Sequence, residues 1–356
     1  MFSLSLLVSP FLAVHVAAFS PVPQKPLARL SAFDVQGHRG GRGNAIENTL
    51  PSFAWGIIDG STTLELDNGV TKDGVVVVWH DNIILPSKCR DTTAAVDGDP
   101  DFPYVGKFIA NLTVAQLKTL DCGSQRQHNF PLQLTYPGTR ISTLQEVFDF
   151  VECADPGHSM RWNIESKINA LHPNQTASVD TFVKSQHAIF HASPYRHAIT
   201  YQSFDWRSLI AMKKLDPGVV TSALIDHETI FESGDTPYPW LAGLNLQAFP
   251  GSSLGLKIAN AANSINATIL SPSAYPSNLS LTTKEMVDHA HELGMLVKPW
   301  TVNSLDTADD LLRWGVDGII TDYPNIVRRW IQQQGLQVAP KYPKSRVLSC
   351  LEKHSQ

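Results

Sequence analysis

The 356-residue sequence has no block of lysine and arginine beyond a modest basicity near the C-terminus, and 33 acidic against 28 basic side chains leave a net charge of −5. That balance argues against a nucleic-acid partner, because phosphate backbones are held by concentrated positive charge. Cysteine is scarce. Cys89, Cys122, Cys153 and Cys350 have neither CxxC nor other metal-ligand spacing, so a zinc cluster is not indicated. A dinucleotide fingerprint is also missing, since "GHRGGRGN" (37–44) does not have the GxGxxG spacing. Beyond residue 18 no apolar run is long enough to span a membrane. What is present, 43% hydrophobic and 9% aromatic residues, suits a globular chain with a large core.

Residues 2–18 are almost uncharged and mostly apolar, and Val16-Ala17-Ala18 offers small residues for cleavage. The stretch reads as a signal peptide over 1–18, although no Lys or Arg precedes it; an uncleaved anchor is the alternative. A Pro-containing leader, 19–30, follows. Asn111, Asn174, Asn266 and Asn278 each open an Asn-X-Ser/Thr triplet, which fits a secreted, extracellular glycoprotein with no stable membrane span after cleavage. In an oxidising compartment Cys89 is expected to pair with Cys122 and Cys153 with Cys350. Four cysteines allow three pairings, and buried free thiols are the alternative.

Strand-like and helix-like segments then alternate. "FDVQGH", "TTLELD", "VVVVWHD", "RWNIESKI", "HAITYQSF", "TSALID", "ATILSP", "MLVKPWTVN" and "DGIITDYP" read as strands. Between many of them lie helical patterns such as "DTFVKSQHAIFHA" and "LDTADDLLRWG". In "TLPSFAWGIIDG" Thr49 can cap a helix with Pro51 in its first turn, and Leu50, Phe53, Ala54, Ile57 and Ile58 share a face. Roughly eight β/α alternations imply an α/β fold, a (β/α)8 TIM barrel over 31–333. An open doubly wound sheet is the alternative. Residues 82–142, rich in Asp, Thr, Gly and Pro, read as a loop-rich insertion over one face, and 334–356 as a C-terminal tail.

The chemistry concentrates at strand ends. Glu65 and Asp67 alternate with Leu64 and Leu66, so both carboxylates share one face with α-carbons roughly 7 Å apart. Such a pair needs a proton, a base or a cation between its members, and Mg²⁺ or Ca²⁺ suits all-oxygen ligands. Glu165 and Lys167 repeat the pattern in "RWNIESKI". Solvated acids in the first case and a plain salt bridge in the second are the bland readings. His38 and His80 end their own segments, Arg39 can donate to a phosphate, and Glu47 with Asn48 opens the first helix.

"HRG" with "ENT", then "ELDNGVTKDGVVVVWHD", "IESK" and "GVDGIITDYP", in that order across 34–330, resemble the glycerophosphodiester phosphodiesterase family. The resemblance implies a TIM barrel that cuts glycerophosphodiesters into glycerol-3-phosphate and an alcohol with one divalent cation, Mg²⁺ or Ca²⁺. It implies Glu65, Asp67 and Glu165 as metal ligands and His38 and His80 as the acid–base pair. Arg39 and Lys167 would hold the phosphate and Glu47 would support them. Trp300, in "PWTVN", would pack on the glycerol or line the mouth, with plain core as the alternative. Asp322 would orient a neighbour or help close the barrel. Two departures stand out: Ile46 occupies a position where the family usually has proline, and Asn68 one where an apolar residue is common.

The rival activity is a phospholipase D-like or sphingomyelinase D-like reaction on lyso- or sphingolipids, which an apolar ring at the mouth would favour. A secreted barrel that only binds is the reading from another class. The headgroup, the nucleophile (water or the substrate's own hydroxyl) and the division of labour between the histidines stay open.

Overall fold

The computed structural model describes residues 32–231, 237–274 and 281–355. The signal-peptide and leader segments and the Asn278 triplet lie outside the described residues. Thr49 caps the first helix: its hydroxyl accepts from the Ser52 amide, while the Ser52 hydroxyl accepts from the Thr49 amide. Pro51 sits in the first turn, Gly60 ends the helix in the left-handed region, and Leu50, Phe53, Ala54 and Ile57 are buried.

Among the described residues the chain runs β1 (Asp34–Gly37), α1 (Leu50–Asp59), β2 (Thr63–Val70), β3 (Val76–Val78), α2 (Val114–Leu117), α3 (Leu144–Ala154), β4 (Arg161–Ser166), α4 (Val179–Ala192) and β5 (Ile199–Ser203). It continues through α5 (Trp206–Leu215), β6 (Val220–Ile225), α6 (Leu254–Ser264), β7 (Ile269–Pro272), α7 (Lys284–Glu292), β8 (Leu296–Val297), α8 (Leu305–Trp314), β9 (Gly318–Thr321), α9 (Pro324–Gln333) and α10 (Lys344–His354). The strands lie in the order β8-β7-β6-β5-β4-β2-β1-β9, each pair parallel. Asp317 N donates to Val297 O, Ile320 N to Pro299 O and Val302 N to Ile320 O, which joins the two edges. This is the (β/α)8 barrel read from the alternation.

β3 is not one of the eight barrel strands. It pairs antiparallel with the far end of β2, Asn68 against Val78, and His80 follows it in a loop. The reason is length: Thr71–Val75 is a tight turn with Gly74 at φ 79°, and a parallel return needs a crossover of a dozen residues or more. Asn68 fastens this hairpin. Its side chain donates to Val77 O at 3.3 Å and accepts from Gln186 on α4 at 2.9 Å.

The main core lies between barrel and helices, where Leu64, Leu66, Trp162 and Ile164 meet Phe53, Phe148 and Phe182. Inside the barrel a polar ladder runs below the mouth. Lys298 and Thr63 both donate to Asp34, and Asn163 donates to Gln36 and Gln202. Buried polar groups so connected avoid the cost of desolvation without a partner.

The 82–142 segment carries a second small core around Trp79, Ile84, Tyr104, Leu112 and Leu117, with a disulfide between Cys89 and Cys122. Its α-helix among the described residues, α2, is four residues long. Cys153 bonds Cys350, so both expected pairs form. The segment read as a tail contains α10, which buries Val347, Cys350 and Leu351 against α3 and α1. Those residues recur at helical spacing, a pattern the word "tail" overlooked. No helix among the described residues is long and apolar enough to cross a membrane.

Candidate active site

Parallel pairing of β2 with β4 sets Asp67 directly opposite Glu165, with Glu65 one side-chain repeat below on the same face. The three buried carboxylates each offer an oxygen within 4.8 Å of the others. Burial, and then repulsion from Asp67 and Glu165, pushes Glu65 well above the usual carboxylate range. Burial also lifts Glu165 to about 7, against the pull of Lys167. Asp67 stays low, because Arg39, His80 and Lys167 outweigh its burial. Asp67 Oδ1 is buried with no hydrogen-bond partner.

The first strand delivers His38 and Arg39 in a short turn, with Arg39 at φ 52°. That unusual backbone aims the Arg39 amide at Glu65 Oε2, 2.7 Å away. The Arg39 side chain is buried among acids, 3.0 Å from Glu47 Oε1 and 3.3 Å from Asp67 Oδ2. Lys167 Nζ lies 2.7 Å from Glu165 and 3.9 Å from Asp67.

Each histidine is held at Nδ1 by a carboxylate: His38 by Asp322 at 2.6 Å and His80 by Asp81 at 3.0 Å. An Nδ1–H donated in this way leaves Nε2 as the acceptor facing the site. His38 Nε2 is 4.0 Å from Glu65 Oε2. Burial, then the Arg42 guanidinium, lowers His38 to about 4, and burial with Arg39 and Lys167 holds His80 well below its ordinary value. Both imidazoles are therefore neutral near pH 7.

Asp322 also accepts from Arg42 Nε at 2.7 Å and from Asn303 at 2.6 Å. The orienting reading of that residue fits its partners. Trp300 lines the mouth with Phe204, ring centroids 5.2 Å apart, and its indole N–H donates to Ser271 O. His38, Arg39, Glu47, Glu65, Asp67, His80, Glu165, Lys167, Trp300 and Asp322 thus gather at one end of the barrel.

Sequence reasoning missed the contacts of some residues and the presence of others. Asn48, placed by the sequence only at the opening of the first helix, donates to Asp67 Oδ2 at 2.8 Å from a left-handed backbone, φ 56°. Ile46, at the family's proline position, is buried and its carbonyl accepts from Thr49. Lys88, Asn303 and Phe204 carried no local motif.

The donor set fits a divalent cation. Glu47, Glu65, Asp67, Asp81, Glu165 and Asp322 oppose only Arg39, Arg42, Lys88 and Lys167. With all six carboxyls in the ionised form that a cation would need, and with neutral imidazoles, four cations leave the cluster two positive charges short. The all-oxygen triad and the orphaned Asp67 Oδ1 sit where such an ion would bind.

The family model described as "Glycerophosphoryl diester phosphodiesterase family" matches residues 38–326. A glycerophosphodiester phosphodiesterase of Caldanaerobacter subterraneus is 27% identical over 296 residues, 82% of this chain and 96% of that one. The crystal structure of a putative glycerophosphoryl diester phosphodiesterase from Silicibacter pomeroyi superposes with a TM-score of 0.70 at 28% identity, covering 86% of this chain and 96% of its own. An Oleispira antarctica phosphodiesterase, solved with the product sn-glycerol-3-phosphate, shares the fold with a TM-score of 0.60 at 20% identity over 85% of this chain and 97% of its own. The chain belongs to the glycerophosphoryl diester phosphodiesterase family and is a phosphoric diester hydrolase.

Proposed function

We propose that this protein hydrolyses glycerophosphodiesters to glycerol-3-phosphate and an alcohol with the aid of one divalent cation, Mg²⁺ or Ca²⁺. The observation that carries the reading is the buried Glu65–Asp67–Glu165 triad lying between two carboxylate-oriented histidines. A cation held by the triad would supply Lewis-acid polarisation of a phosphoryl oxygen. Arg39 and Lys167 add fixed positive charge beside it, where charge grows in the transition state.

Neutral Nε2 of one histidine takes the proton of the attacking hydroxyl as the new P–O bond forms. The other, protonated, gives its proton to the departing alkoxide as the old P–O bond breaks. The negative substrate favours that imidazolium, and Asp322 and Asp81 stabilise it from behind. The attacking hydroxyl is that of water, or it is the substrate's own. In the second case water opens the resulting cyclic phosphate in a second step, with the histidine roles reversed. Trp300 and Phe204 form an apolar wall beside the polar half of the mouth, suited to the carbon face of the substrate.

Extracellular placement belongs to the same proposal. Both cysteine pairs are bonded, and Asn111, Asn174 and Asn266 are exposed. The test uses protein recovered from the medium of a secreting host and measures glycerol-3-phosphate release from glycerophosphocholine. EDTA should abolish release, Mg²⁺ or Ca²⁺ should restore it, and Glu65→Gln should lack it. His38→Ala and His80→Ala should each lose ~10²–10⁴-fold in turnover. Release that survives EDTA or the histidine substitutions would overturn the mechanism.

A second reading, phospholipase D-like action on lysolipids, is favoured by exposed apolar side chains on loops at the mouth: Leu132 (83% exposed), Phe231 (61%) and Leu171 (43%). Choline released from lysophosphatidylcholine faster than from glycerophosphocholine would select it.

A further inference from the structure

One cation of the site does not come from the barrel. Lys88 belongs to the insertion, and its Nζ donates to Glu47 Oε1 and to Asp81 Oδ2, both at 2.6 Å. Those carboxylates lie on separate segments, one before α1 and one after β3. Each already has a partner on the reacting side: Glu47 Oε1 accepts from Arg39 Nη1 at 3.0 Å, and Asp81 Oδ1 lies 3.0 Å from His80 Nδ1. We propose that Lys88 is a positioning residue, whose single ammonium locks Arg39 and His80 into one arrangement so that the insertion completes the active site. The inference rests on the proposed proton-transfer role of His80.

Lys88 is itself firmly placed. Its amide and that of Cys89 both donate to Leu85 O at 3.0 Å, and Cys89 is bonded to Cys122. The next residue, Arg90, exchanges backbone hydrogen bonds with Asp121. The ammonium also rides over the Trp79 ring, 5.6 Å from its centroid. The charge therefore arrives on a disulfide-anchored loop with little conformational freedom left to lose, the condition under which a charge-assisted bridge contributes most.

Without the ammonium, Glu47 and Asp81 face each other unscreened. Glu47 is buried and pinned by Arg39. Asp81 is the more exposed of the two and has solvent to turn into. We expect Asp81 to leave His80, so the loss falls on the chemical step more than on binding.

The experiment uses the oxidised, full-length protein with Lys88→Met, Lys88→Arg and Lys88→Ala. Lys88→Met should stay folded and lose about 10–100-fold in kcat, as for other residues that orient ligands from behind, with KM little changed. Lys88→Arg should recover part of the loss, and added ethylammonium should restore Lys88→Ala in a concentration-dependent way. Independently of turnover, the His80 ring Nδ1 proton, identified by its absence in His80→Asn, should appear downfield in the wild-type NMR spectrum. It should be lost in Lys88→Met and kept in Lys88→Arg. Wild-type kcat in Lys88→Met, or a loss that neither arginine nor the amine restores while the His80 signal is unmoved, overturns the inference. A wild-type protein inactive on every diester would instead defeat the proposed function, and the His80 signal would still decide the role of Lys88.

Discussion

Asp67 and Glu165 meet because two parallel strands put them opposite each other, and Glu65 lies on the same buried face, where burial governs the acidity of Glu165 and Glu65. Burial raises Glu165 to about 7 and holds Glu65 well above its ordinary value. A carboxyl raised on folding stabilises the native state below its unfolded pKa, and that stability is lost as pH climbs through the folded value. Without a cation, this pair therefore favours the folded state less at pH 8 than at pH 6. Cation binding requires the charged forms, so it competes with the protons. One site titrating near 7 makes binding about tenfold tighter at pH 8 than at pH 6. The shift in Tm on adding saturating Mg²⁺ or Ca²⁺ to EDTA-treated protein should thus be larger at pH 8. Comparing the shifts cancels the opposite, cation-independent pull of His38, whose acidity moves the other way. Equal shifts at the two pH values would refute this competition between protons and cation at the triad.

Glycine in mid-helix normally costs about 1 kcal/mol relative to alanine, so propensity alone expects Gly56→Ala to stabilise α1. The packing says otherwise. A Cβ at Gly56 would stand 2.4 Å from the carbonyl oxygen of Gly40, in the turn that carries His38 and Arg39. Backbone cannot yield as a side chain can, and overpacking typically costs about 1–3 kcal/mol. Gly56→Ala should lower stability in a urea melt and reduce turnover together, and a stabilised, fully active variant would refute the contact. This is also where sequence legibility ran out. The alternation of elements, the Thr49 cap, the carboxylate pairs and both histidines were readable because each is a local pattern. The β3 hairpin was signalled by Asp73-Gly74 yet passed for another barrel strand, since its four valines read the same in either pairing. Lys88 had no signal at all. Its partners lie 41 and 7 positions away, and only the folded insertion brings them together.

The two disulfides join parts of the molecule with different duties, and that separates stability from activity. Cys153–Cys350 spans 197 positions and ties α10 to α3 on the outside of the barrel, whereas Cys89–Cys122 spans 33 and anchors the loop that carries Lys88. Chain-entropy reasoning makes the longer closure worth up to about 5 kcal/mol and the shorter up to about 4 kcal/mol. The apolar face of α10, Val347, Cys350 and Leu351, packs on the same helices and retains part of the docking when the bond is gone. A Cys153→Ser/Cys350→Ser double variant should therefore unfold at clearly lower guanidinium concentration while its kcat stays at the wild-type value, because α10 packs on α1 and α3 and, among the described residues, none of its side chains lines the mouth. A Cys89→Ser/Cys122→Ser variant should show the reverse emphasis, with the smaller loss of stability and the larger loss of kcat. Guanidinium melts beside steady-state kinetics on the same preparations measure both. If the outer pair governed turnover and the inner pair did not, the barrel mouth could not be the unit assembled by the insertion.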